Sequence, residues 1–174
     1  SDYWKDLNDC ELLLICGDIL PLRIQFDMQA SKRWLIEEFK MWASDLPVEK
    51  VYIIAGNHDA WFERNGVLAH SIFSKYDKVT YLKNEYVDYI SNQDSKVYRI
   101  FGTPYCHIFG NWPFMRDEET LARHPRQQHA YDCHQLRKAY TLCRPSHHEA
   151  RALVWLSDGE QQSARKHHTR HVWR

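Results

Sequence analysis

Lys50-Val51-Tyr52-Ile53-Ile54-Ala55-Gly56-Asn57-His58-Asp59 is the stretch whose reading decides the fold. Its first part is a short apolar run, as expected of a strand buried on both faces. It ends at a glycine, which lets the backbone turn tightly and approach a ligand. An amide, an imidazole and a carboxylate follow in succession. Thirty-nine residues earlier the pattern has a counterpart: Glu11-Leu12-Leu13-Leu14-Ile15-Cys16 is a second apolar run, ending at Gly17-Asp18. Between the two, Ser31 is read as the cap of a helix running to about Ser44, with Trp34, Leu35, Glu38, Phe39 and Trp42 at helical spacing. Trp34, Phe39 and Trp42 are assigned to the core.

Strand, helix and strand, followed by weaker strands near 78–82, 86–90 and 96–102, predict an α/β layered fold with helices against a central sheet. Asp117 is read as the cap of a helix beginning at Glu118. In open α/β sheets ligands sit beyond the carboxyl ends of the strands. Asp18, Asn57, His58 and Asp59 would all lie there. Their oxygen and nitrogen donors suit divalent ions such as Mn, Fe or Zn. Either loop alone is ordinary turn chemistry; the parallel placement of both after successive buried strands points to a site.

These residues resemble the second and third motifs of the calcineurin-like metallophosphoesterases, over roughly residues 10–120. The likeness extends to Phe101-Gly102-Thr103-Pro104-Tyr105 and Phe109-Gly110-Asn111-Trp112, which are similar to small bacterial and phage members. The resemblance implies a layered fold of central β-sheets flanked by helices. It also implies a phosphoester hydrolase in which two divalent ions (Mn, Fe, Zn, Ni or Co) activate water. Asp18 would be the bridging carboxylate and Asn57 a ligand through its side-chain oxygen. His58 would donate a proton to the leaving oxygen or steady the transferring phosphoryl group, and Asp59 would orient the imidazole and favour its protonated form. His107, in the loop from Tyr105 to Trp112, is a candidate for lining the substrate cleft.

The chain departs from that pattern at both ends. The family opens with a strand ending in Asp-x-His; here Asp2 is the candidate remnant, and Trp4 stands where the His belongs. The later His motifs have no convincing match, since Ser146-His147-His148, His167-His168 and His171 lack an apolar lead-in. The expected fold is therefore an incomplete copy. The competing reading is a non-catalytic relative that retains a partial metal site.

Composition changes along the chain as well. Residues 1–120 hold 13 Lys+Arg against 19 Asp+Glu, a net of −6, and residues 121–174 hold 10 against 4, a net of +6. Every Ile, Phe and Met lies before residue 121, and eight of the eleven His lie after it. The division expected is a phosphoesterase core at 1–120 and a basic His/Arg-rich tail at 121–174, disordered or translated out of frame from near residue 125. The tail's charge fits a polyanion such as nucleic acid, but it lacks the regular aromatic interleaving of a nucleic-acid surface, so the expected partner is a phosphoester substrate.

No apolar run approaches the ~20 residues of a membrane helix. Five cysteines with no C-x-x-C pair argue against a disulfide framework. The opening Ser1-Asp2-Tyr3-Trp4 lacks the features of a secretory signal. The expectation is a cytoplasmic protein, or a chain whose true N-terminus lies upstream.

Overall fold

The computed structural model describes residues 7, 10–123, 140–141 and 153–158. The two apolar runs form adjacent parallel strands, β1 (Leu12–Cys16) and β2 (Lys50–Ile54), paired in register from Leu12 with Lys50 to Cys16 with Ile54. β3 (Val79–Tyr81) extends this sheet beyond β2. A second sheet is built on the antiparallel pair β4 (Glu85–Ile90) and β5 (Val97–Thr103). Short β6 (Cys106–His107) and β7 (Met115–Arg116) pair with each other.

Why the first two strands are so largely apolar is visible in their two faces. Leu13, Ile15, Val51 and Ile53 point into a core shared with Leu35, Phe39, Phe62 and Phe73 of the helical layer. Leu12, Leu14, Tyr52 and Ile54 point the other way, against Tyr89 and Ile100 of the second sheet and Leu82 of the segment leading into it. Each such side chain, fully buried, stabilises the fold by roughly 1.5–3 kcal/mol relative to exposure. The parallel sheet is thus the middle layer, with helices on one side and the second sheet on the other, the layered α/β arrangement the sequence predicts.

The helical layer begins earlier than expected. Asp27, not Ser31, is the cap: its Oδ1 accepts from Gln29 and Ala30 N–H at 3.0 and 2.9 Å, and α1 runs Met28–Trp34. Ser31 is fully buried, and its hydroxyl donates to the Ile24 carbonyl at 2.8 Å. A π-helical turn, Leu35–Phe39, leads into α2 (Lys40–Asp45). Leu35 and Phe39 are buried, Trp34 and Trp42 pack partly buried beside them, and Glu38 is exposed. After β2 come α3 (Ala60–Arg64) and α4 (Gly66–Phe73). α5 (Glu118–Arg123) is capped by Asp117, which accepts from Thr120 N–H at 2.7 Å.

Two strands lie where the composition suggested none. β8 (Tyr140–Thr141) pairs parallel with β1, and β9 (Leu153–Asp158) pairs antiparallel with β5. Leu153-Val154-Trp155-Leu156 is a four-residue apolar run, a strand signal that the polar average of the surrounding segment conceals. Among the described residues no helix is long and apolar enough to cross a membrane.

Candidate active site

The site is assembled where β1 and β2 end side by side. Gly17 N–H donates to the Ile54 carbonyl at 3.1 Å, extending the ladder by one step. The two loops then come into backbone contact: a Cβ on Gly56 would lie 2.5 Å from Asp18 N and 2.9 Å from Gly17 Cα. Gly17 has φ +89°, and Asp18 follows at φ +53°, a left-handed conformation that costs a non-glycine residue strain. That turn sends the Asp18 carboxylate toward the second loop, where its Oδ1 accepts from His58 N–H at 3.3 Å.

Asp59 completes the seam in the opposite direction. It is fully buried, and its carboxyl accepts from three backbone N–H groups: Gly56 at 2.7 Å, Leu20 at 2.8 Å and Ile19 at 3.1 Å. Burial pushes this carboxyl up to about 7 against the opposing pull of the three amides, and the Asp18 charge adds to the rise. The expectation that Asp59 orients the His58 imidazole is therefore corrected. Its oxygens are committed to the amides of both loops, which makes it a structural tie.

His58, half-buried, has a different partner. Its Nδ1 lies 2.8 Å from Oε1 of Gln25, and the indole of Trp112 stands against the ring at a centroid distance of 4.8 Å. Trp112 in turn stacks on Phe26 at 6.4 Å with an interplanar angle of 20°. Phe26 is 60% exposed, so this aromatic wall opens to solvent. The segment bearing Trp112 is anchored from α3: Glu63 Oε1 accepts from Phe114 N–H at 2.8 Å and from the Arg116 guanidinium at 3.2 Å. Phe114 is itself held at φ +61° and is fully buried.

Asn57 is 2% exposed, yet neither its Oδ1 nor its Nδ2 makes a hydrogen bond among the described residues. A buried amide ordinarily finds partners, and leaving it without them is costly. The Asp18 carboxylate meets the residues on either side of it, its Oδ1 accepting from His58 N–H at 3.3 Å and lying 2.6 Å from where a Gly56 Cβ would stand. Asn57 and Asp18 are oxygen donors of the kind divalent cations take. Two donors fit one edge of a metal centre and fall short of a full coordination sphere. Among the described residues no three His, Cys, Asp or Glu side chains come together as a metal-holding group.

Of the sequence-derived candidates, Asp18, Asn57, His58 and Asp59 thus converge. His107 is exposed on β6, and its loop reaches the site through Trp112 instead. Asp2 and the His residues at 147, 148, 167, 168 and 171 lie outside the described residues. Gln25 and Glu63 were not signalled by the sequence. Gln25 sits in a turn segment without periodicity, and Glu63 reads as an ordinary helix-surface residue.

Comparison with known proteins finds a family and related proteins. A sequence model of the calcineurin-like phosphoesterases matches residues 2–172. Metallophosphoesterase domain-containing protein 1 of Homo sapiens and its Mus musculus counterpart are each 30% identical over 118 residues, covering 60% of this chain and 34% of theirs. The chain therefore spans about a third of the length of these curated relatives. No solved structure matches at the same stringency.

Proposed function

The chain belongs to the calcineurin-like phosphoesterase family, and from that premise we propose that it is a metal-dependent phosphoester hydrolase whose site is built on Asp18, Asn57 and His58. The observation that carries the reading is Asn57, buried with polar atoms that find no partner among the described residues, in the loop whose His58 N–H the Asp18 carboxylate contacts from its strained turn. Divalent ions, when bound, would supply charge neutralisation and an activated water. Asp18 and Asn57 would hold them at one edge of the site, with manganese, iron, zinc, nickel or cobalt all suited to those donors. His58 does what a general acid does: it offers a proton to the oxygen that leaves phosphorus, a contribution of about 10²–10⁴-fold where the geometry is right. Asp59 acts at one remove, keeping the two loops in contact so that Asp18 and Asn57 stay adjacent.

The phosphoester substrate would approach over the Phe26–Trp112 wall. The odd number of cysteines fits a reducing, cytoplasmic setting. The core that would carry the activity spans 1–120, with a basic tail at 121–174 whose β8 and β9 pair with β1 and β5.

One observation favours a second reading, a relative with a partial metal site and no turnover: the described residues gather no third His, Cys, Asp or Glu. Elemental analysis of the purified chain, with hydrolysis of an aryl phosphate in added Mn²⁺, separates the two. The hydrolase reading expects about two metals per chain, falling in Asp18→Ala together with turnover. Less than one metal, unchanged in Asp18→Ala, would establish the second reading.

A further inference from the structure

We propose that Gln25 is the positioning residue of His58, holding its imidazole in the Nδ1–H form so that Nε2 is the nitrogen that exchanges a proton with substrate. The proposal rests on the reading of His58 as the proton donor of a phosphoesterase. Its basis is the 2.8 Å contact between His58 Nδ1 and Gln25 Oε1. An amide oxygen can only accept, so the ring nitrogen facing it must carry the hydrogen. Which imidazole nitrogen is protonated is set by the hydrogen bond the other one makes.

The consequence for proton transfer follows directly. The imidazolium has both N–H groups; when Nε2 passes its proton to the leaving oxygen, the ring becomes the neutral Nδ1–H form. That is the form Gln25 already holds, so the ring need not turn or exchange partners during the step. A carboxylate in that place would also accept from Nδ1. The nearest one along the chain, Asp59, is taken by three backbone amides. The acceptor comes instead from across the site, 33 residues away.

Gln25 is suited to the task because its backbone is held on both sides. Ile24 N–H donates to the Pro21 carbonyl at 3.0 Å, and the Ile24 carbonyl accepts from Asp27 N–H at 2.9 Å and from the buried Ser31 hydroxyl at 2.8 Å. Asp27 then caps α1. The turn carrying Gln25 is therefore clamped to the helix start, and the Trp112 indole limits the imidazole from a second direction. An orienting group supported in this way is preorganised before substrate arrives.

The test reads the tautomer first. The ¹⁵N-labelled full chain is examined by long-range ¹H–¹⁵N correlation with the pH raised until the His58 ring signals cease to move, and those signals are identified by their loss in His58→Gln. The wild type should show a protonated Nδ1 and a bare Nε2. Gln25→Leu should shift the ring toward the Nε2–H form, and Gln25→Glu, which keeps an acceptor, should retain Nδ1–H. In Mn²⁺ with an aryl phosphate, Gln25→Leu should lower kcat roughly 10–100-fold with KM within about twofold, and Gln25→Glu should recover most of it. An Nε2–H wild type, or a tautomer indifferent to Gln25→Leu, overturns the proposal. So does a KM effect without a kcat effect. A wild-type chain that hydrolyses nothing while keeping the Nδ1–H form overturns the phosphoesterase reading, and the catalytic use of the bond with it, but not the bond.

Discussion

Asp59 and Asp88 are both carboxylates whose two oxygens are engaged, and they sit at opposite extremes of the molecule's energetics. Asp59 lies in the seam between the first two strand ends, fully buried, receiving three backbone amides. Asp88 lies on the outer face of the β4–β5 hairpin, opposite Arg99, whose Nε and Nη2 donate to it at 2.8 and 3.0 Å. Burial pushes the Asp59 carboxyl up, whereas the Arg99 guanidinium holds the Asp88 carboxyl below the usual carboxylate range. The hydrogen bonds are comparable in number and length. What differs is the solvent: removing a partner in the seam strands groups that water cannot reach, and on the hairpin water simply takes its place.

The largest effect should come from Asp59→Ala. Three buried N–H groups lose their acceptor at about 1–3 kcal/mol each, partly relieved if water enters, so a loss of roughly 3–5 kcal/mol is expected from denaturant unfolding. A loss below about 1 kcal/mol would mean that the loops are held together by something else. The sign of the pH dependence is also fixed. Because burial pushes the native carboxyl up to about 7, folding should take up a proton between about pH 4 and about 7. Native stability therefore falls as pH rises through that window, and Asp59→Ala should remove this component.

A smaller effect is expected where the hairpin meets the central sheet. Gly102 on β5 leaves no room for a side chain: a Cβ there would lie 2.4 Å from Leu82 Cβ and 2.8 Å from Ile54 Cγ2. Gly102→Ala should cost roughly 1–3 kcal/mol through the displacement it forces between the sheets. Such a result would sharpen the contrast, because it would assign the hairpin's contribution to its inward face. Unchanged stability would show that the two sheets separate without penalty and that the hairpin is peripheral on both faces.

How far this could be read from the sequence depended on the range of the interactions. β1 and β2 were legible because burial on both faces writes itself as an unbroken apolar run, Leu12 and Leu14 facing one way, Leu13 and Ile15 the other. Asp18, Asn57 and His58 were legible as a group because each follows such a run directly. The helix start was not, since Asp27 and Ser31 are both good caps; the choice turns on the Ile24 carbonyl claiming the Ser31 hydroxyl. The role of Asp59 was misread because its neighbour in sequence is an imidazole, while two of its three donors, Ile19 and Leu20, lie 40 and 39 residues back. Gln25 carried no pattern at all. Its meaning is a contact between loops, and periodicity cannot report one.

The smallest effect should be that of Arg99→Ala. The pair is well formed, yet Arg99 and Asp88 side chains are 59% and 45% exposed, and exposed pairs contribute little once screening and side-chain ordering are counted. At neutral pH the denaturant midpoint of Arg99→Ala should fall only marginally below the wild type. That small difference should close on acidification: the Arg99 guanidinium holds the Asp88 carboxyl below its ordinary range in the native state, so whatever the pair contributes is present above the ordinary carboxylate range and is lost as pH falls through the depressed value. Unfolding measured at low and high salt would expose that remainder, since screening should erase it. If Arg99→Ala instead matched Asp59→Ala in cost, the comparison would collapse. The Asp88–Arg99 pair would then be setting the register of β4 on β5, and solvent access could not be what separates the two carboxylates.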